Sequence, residues 1–240
     1  MDNLIANVEQ QISRAIEETQ RIDLFDEIHK RDECLICFKI LPIEADGWSF
    51  MACCGHIICQ RCNDQWLENK NGDMCPFCRK NCPVGNTEYL AAIKSLSKRG
   101  SAEAAMDLSD VYRNGSNGVE VNNYKSLRWL LKAASLGSAA SYGQISQAYS
   151  NGIIVERSSV RRRECLEISA KMGSMRARRT LMGICSDEGD FLSEKKHREN
   201  AACAGCEVAM KNLFNEYKQG GITKERLDVI LRHHQLHYTE

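Results

Sequence analysis

Proline is scarce in this chain and long apolar runs are missing. Pro42, Pro76 and Pro83 are the three prolines among 240 residues, and none follows Pro83. A proline inside a helix removes a backbone donor and clashes with the preceding turn. From about residue 88 onward, helix can therefore run without interruption. No stretch reaches the roughly 18 to 20 apolar residues that a membrane-spanning helix needs. No apolar run follows a basic N-terminus, so a secretory signal is not expected. An excess of charge is also absent, since 32 Lys and Arg balance 32 Asp and Glu. That balance removes the electrostatic case for nucleic acid or a membrane surface as partner. The length leaves room for two small domains.

Cysteine, by contrast, is abundant and clustered. Nine of 13 cysteines lie between residues 34 and 82. An intracellular chain keeps its thiols reduced, so such a cluster points to metal rather than disulfides. The expected location is cytoplasmic, with the nucleus as the alternative. Eight donors stand in order: Cys34-x-x-Cys37, Cys54-x-His56, Cys59-x-x-Cys62 and Cys75-x-x-Cys78. Zinc takes four soft or borderline ligands in a tetrahedron, so eight imply two Zn2+ in closed, structural sites. The stretch is too short and polar to build much core, and metal binding would supply its folding free energy. Cys53 and Cys54 are both within reach of His56. Cys54 is preferred because Cys-Gly-His allows a sharp turn at Gly55, which leaves Cys53 as a small packed residue. Cys82 reads as a free thiol. The divisions expected are an N-terminal helical segment over 1–31, a zinc module over 32–84 and a helical region over 85–240.

The order and gaps of the ligands resemble a RING finger of the three-Cys, one-His, four-Cys kind, over residues 34 to 79. The resemblance implies interleaved sites, one from Cys34, Cys37, Cys59 and Cys62, the other from Cys54, His56, Cys75 and Cys78. It also implies roles for four non-ligand positions. Ile36, Trp66 and Pro76 match an apolar groove for a ubiquitin-conjugating enzyme. Arg79, just past Cys78, matches a cationic linchpin between that enzyme and ubiquitin. Guanidinium suits the part, with five donors in a rigid fork and a permanent charge. The alternative is that Trp66 is core and Arg79 a solvated terminus.

Residues 100 to 220 are self-similar. Segments begin at Gly100, Gly137, Gly173 and Gly205. Eight residues after each comes Leu108, Ile145, Leu181 or Leu213. Twelve after comes Tyr112, Tyr149, Cys185 or Tyr217. Small pairs precede the later glycines: Ala133-Ala134, Ser169-Ala170 and Ala201-Ala202. Each unit reads as two helices, the four-residue step lining one face of the first. Such periods signal a helical solenoid whose units bury themselves against their neighbours. The pattern Gly-x-x-x-Ala-x-x-x-Leu-x-x-x-Tyr, best kept at Gly100 and Gly205, resembles Sel1-like repeats, relatives of the tetratricopeptide solenoid. The third unit departs from it, with Cys185 for Tyr and its loop glycine shifted to Gly189. Residues 88 to 98 resemble the second helix of an earlier unit and would couple the zinc module to the solenoid. A helix over about 223 to 237 would close the array. Cys203-x-x-Cys206 lacks a second half-site and, like Cys165 and Cys185, reads as core. Arg161 to Arg163 with Arg176, Arg178 and Arg179 read as a basic patch or, more simply, a solvated helix face.

In the N-terminal segment, Ile5, Val8, Ile12, Ala15, Thr19 and Ile22 form a short heptad seam. It packs on the chain's own modules or pairs with a second copy into a homodimer. A turn at Phe25 and Ile28 would lead into the zinc module. The fold class expected is mainly α, a small RING module followed by an α-solenoid. The function implied is a RING-type ubiquitin-protein ligase, acting on a ubiquitin-charged conjugating enzyme and recruiting protein substrate through its repeats. A non-catalytic, zinc-stapled adaptor is the alternative.

Overall fold

A computed structural model describes residues 2–22, 24, 32–41, 47–69 and 74–235. The Phe25–Ile28 turn lies outside the described residues. Helix α1 (Asp2–Thr19) comes first. A two-stranded antiparallel ribbon follows, β1 (Trp48–Phe50) with β2 (Ile57–Cys59), in register Ser49 to Ile58. Helix α2 (Gln60–Glu68) completes the zinc module. The rest is helical: α3 (Asn86–Lys98), α4 (Ala102–Asn114), α5 (Asn123–Ser135), α6 (Ala139–Asn151), α7 (Ser159–Lys171), α8 (Met175–Asp187), α9 (Phe191–Cys203), α10 (Glu207–Lys218) and α11 (Lys224–Gln235).

The repeated Gly-Ser dipeptide makes the corner between consecutive units. At Gly137 the backbone has φ +89°, a left-handed value that a side chain at Cβ resists. Around it, Ser138 N donates to Ala133 O at 3.0 Å and Gly137 N to Ala134 O at 3.0 Å. This is the Schellman closure of a helix. The same bonds recur where α3, α7 and α9 end. The following serine then starts the next helix. Ser101 Oγ accepts from Ala104 N at 3.1 Å and Ser174 Oγ from Ala177 N at 3.3 Å. At these two corners a dipeptide stops one helix and caps the next, whereas Ser138 and Cys206 start theirs without a side-chain cap bond.

Packing follows from the same register. Leu108, Ile145, Leu181 and Leu213 are fully buried, as are the small residues that end each second helix, from Ser97 to Ala202. Ser109 and Ser126 share a buried hydrogen bond of 2.8 Å that ties α4 to α5. The 32-residue spacing of the third unit has a local cause. Residues 188–190 join α8 to α9, where 115–122 join α4 to α5. Glu188 ends α8, Gly189 takes φ +75°, and Asp190 caps α9 through Ser193 N at 3.1 Å. Cys185 is buried in the tyrosine position.

Helix α1 lies across α5, α6 and α7. Leu4, Val8, Ile12 and Ala15 are buried in one cluster with Leu131, Tyr149 and Ile168. The buried stripe begins at Leu4, and Ile5 is only half-buried, so the seam read from the sequence starts one residue late. The chain's own repeats cover it. Half of the basic patch is paired or buried, whereas Arg176 and Arg179 remain exposed. Arg161 pairs with Glu164 at 2.8 Å, Arg163 with Glu188, and Arg178 is buried with its guanidinium on Leu24 O at 2.5 Å. No described helix is long and apolar enough to cross a membrane.

His197 in α9 is buried, and burial pushes its pKa down to about 4, with Arg178 and Arg163 adding to the effect. An unfolded histidine titrates near 6.5. Since the folded value is the lower one, this contribution to stability is complete above about pH 6.5 and is lost as pH falls toward 4. The gap corresponds to roughly 3 kcal/mol. Hydrogen exchange should show α8 and α9 losing protection relative to α5 and α6 across that window. His197→Gln should flatten the difference.

Candidate metal centre

Three tight turns of one shape present the ligands. Phe38 N donates to Cys34 O at 2.8 Å, Arg79 N to Cys75 O at 3.0 Å and Gly55 N to Met51 O at 2.7 Å. The closing residue is left-handed in each, with φ +57° at Phe38, +55° at Arg79 and +87° at Gly55. Cys37, Cys78 and Cys54 therefore hold the same place in the three turns, and Cys53 does not. For Phe38 and Arg79 that backbone is strained. Bridges between Glu33 and Ile40 and between Met74 and Asn81 close two of the turns. The remaining pair sits on regular structure, with Cys59 ending β2 and capping α2 while Cys62 lies in its first turn.

The turns fold the donors into two groups. Cys34, Cys37, Cys59 and Cys62 bring their sulfurs within 4.8 Å of one another, and so do Cys53, Cys54, Cys75 and Cys78. A tetrahedron with metal–sulfur bonds of about 2.3 Å has edges of about 3.8 Å. The Cys37 and Cys59 sulfurs are 3.8 Å apart, and those of Cys54 and Cys75 3.5 Å. Soft donors at these separations fit two zinc ions. His56 stands at the edge of the second group. Its Nδ1 is 3.1 Å from Cys54 Sγ, and its ring stacks on Phe77 at 4.6 Å. Five donors thus gather where four are needed. Cys53, expected to pack as a small residue, is among them.

The sulfurs do not ionise alike. Burial pushes the Cys34 thiol up, but backbone N–H groups of Cys37, Cys59 and Ile36 outweigh it and bring the thiol down to about 6. Cys75 is likewise lowered: burial opposes ionisation, and the N–H groups of Cys78 and Phe77 favour it. Burial raises Cys54 to about 11, and neighbouring Cys75 adds to the rise. Burial and the adjacent thiols also raise Cys62. One thiolate forms readily in each group and opposes the next. A dication between them removes that opposition.

The positions expected to contact a conjugating enzyme lie around these turns. Ile36, between Cys34 and Cys37, is 38% exposed. Trp66 on α2 is half-buried and donates from Nε1 to Met74 O at 2.7 Å, which ties it to the residue that enters the Cys75 turn. Pro76 is half-buried and Arg79 exposed. Sequence reasoning missed Leu35, Phe38, Leu67 and Met74, which are also exposed and apolar, Phe38 at 72%. The signal was their position, inside or one residue beyond a ligand turn or at the end of α2. The coupling expected at residues 88 to 98 is present, and what sequence reasoning missed is the zinc-side surface that makes it. Ala52 and Phe50 share a cluster with Ile93 and Leu96 of α3, and a Cβ at Gly55 would stand 3.4 Å from Leu96.

Residues 32–79 match the family model of the Ring finger domain. The chain is also similar to a Sel1 repeat protein from Oxalobacter formigenes, at 29% identity over 52% of this chain and 97% of that one, with a TM-score of 0.46. A second similar structure is c5321, a protective antigen of uropathogenic Escherichia coli that displays an SLR fold. The identity is 22% and the TM-score 0.50, over 73% of this chain and 37% of the length of c5321. No curated protein matches the chain.

The shared turn geometry favours Cys54 over Cys53, and we propose that His56 completes its site. Native mass spectrometry should then find about two zinc ions per chain. Cys54→Ser should retain about one, and Cys53→Ser both. Loss of an ion from Cys53→Ser, with His56→Ala keeping two, would instead make the second site all-sulfur.

Proposed function

We propose that this RING finger, joined to a Sel1-like solenoid, is a ubiquitin-protein ligase that binds a charged conjugating enzyme at the RING and protein substrate at the repeats. What supports the reading is the set of exposed apolar side chains at the ligand turns, Leu35, Ile36, Phe38 and Met74; in this reading Ile36 forms the groove with Trp66 and Pro76. So much exposed apolar area on so small a module marks a docking surface. Both zinc sites are closed by protein ligands. They hold the turns, and the turns hold the surface.

The chemistry in this reading is orientation. A charged conjugating enzyme already carries ubiquitin as a thioester, and a substrate lysine attacks it. Arg79 sits on a backbone fixed by the Cys75 turn, with its guanidinium free of any metal-ligating duty. From there it can donate hydrogen bonds to enzyme and ubiquitin together and hold the thioester in a reactive pose. No nucleophile or base of this chain takes part. The reading implies an intracellular, cytoplasmic location, with the nucleus as the alternative.

Arg79→Ala removes charge-assisted hydrogen bonds worth roughly 1.5 to 3 kcal/mol each. Losing about two should slow single-turnover discharge of ubiquitin to free lysine by on the order of 100-fold or more. Affinity for the uncharged conjugating enzyme should barely change, whereas Ile36→Ala should weaken that affinity. If no conjugating enzyme in a broad panel responds to the wild type, the ligase reading falls and the RING is an adaptor. Equal activity of Arg79→Ala and wild type would remove the linchpin alone.

A further inference from the structure

The contacts of α1 are those of a bound ligand. A solenoid is stabilised by neighbouring units, and α1 belongs to none of them. It meets partners 120 to 152 residues away in sequence. An apolar spine, Leu4, Val8, Ile12 and Ala15, fills the depression over α5, α6 and α7. Polar groups of the repeats then address features of a helix. The Tyr149 hydroxyl donates to the Glu9 carboxylate, and Arg161 Nη2 lies 2.5 Å from Glu9 Oε2. Lys171 Nζ donates to Thr19 O at 3.2 Å, an end carbonyl that any helix seated there would offer. Gln11 Nε2 reaches back to Leu131 O at 2.9 Å.

We propose that this groove is a recognition site for an amphipathic helix from a partner protein, with α1 as its resident competitor. The partner helix carries apolar residues at the spacing of Leu4, Val8, Ile12 and Ala15 and a carboxylate where Glu9 stands. Such helices dock by anchors at these intervals. Tyr149 and Arg161 supply a neutral donor and a cation that complement one carboxylate, which sets the helix in register. In the ligase reading this helix belongs to the substrate. That identification rests on that reading, whereas the binding does not.

The test uses the whole chain with a specific protease site inserted between Leu24 and Asp32, so that cutting frees α1 without removing any residue. The probe is a labelled peptide of residues 2–19, titrated by fluorescence anisotropy. The cut chain should take it up. In the intact chain, tethered α1 competes at an effective concentration of order 1 mM. For a peptide Kd near 10 µM, apparent affinity should then be about 100-fold weaker. Ile12→Asp in the peptide should abolish uptake, and Glu9→Gln should weaken it about tenfold. Tyr149→Phe in the protein should weaken the wild-type peptide more than Glu9→Gln, whose amide oxygen accepts from the hydroxyl less strongly than a carboxylate. Four results would overturn the proposal. The cut chain could unfold as α1 leaves, which would make the helix integral core. It could refuse the peptide, or bind Ile12→Asp as well as wild type. Uptake confined to dimers would assign the groove to a second copy of the chain. Ligase activity enters none of these outcomes.

Discussion

Four thiols cannot be brought together and ionised unless a cation stands among them, and the RING depends on that constraint. Its buried core holds little besides Cys34, Leu41, Ile58 and Cys62, and its strands are Trp48–Phe50 and Ile57–Cys59. Neither could hold Phe38 and Arg79 in left-handed backbone. Coordination can, because it cross-links turns whose N–H groups already favour the thiolates of Cys34 and Cys75. The exposed apolar side chains follow from this arrangement. With the ligands pointing inward, the residues between and just beyond them point outward.

The solenoid solves its stability problem differently. Each unit buries one large aliphatic on its first helix and small residues at the end of its second, and adjacent helices pack through them. The two designs meet where Ala52 and Phe50 lie on Ile93 and Leu96. Helix α3 is thus at once the first element of the array and the seat of the RING.

Much of this was legible because it is written in spacing. Ligand order announced the metal, and the glycine register announced the corners, since a left-handed cap and a serine N-cap leave adjacent letters in the chain. The shifted glycine at Gly189 also marked where the third connection tightens. What stayed hidden depends on three-dimensional neighbours. Ile5 and Leu4 are equally apolar, and only the groove decides which is buried. Arg178 looks like any surface arginine until Leu24 O lies against it. Gly55 already pointed to Cys54, but only the fold brings the Cys53 sulfur into the same group as Cys75 and Cys78.

The position of α1 has a consequence for how the chain is made. Its apolar stripe is translated before every surface that covers it, and those surfaces end near Ile168. At synthesis rates of about 5 to 20 residues per second, that stripe waits on the order of 10 to 30 seconds. During that interval the stripe has no partner surface to cover it. A cell must shield it or tolerate it. A helix made ahead of all its seats must dock after them, so this part of the solenoid closes backwards along the chain.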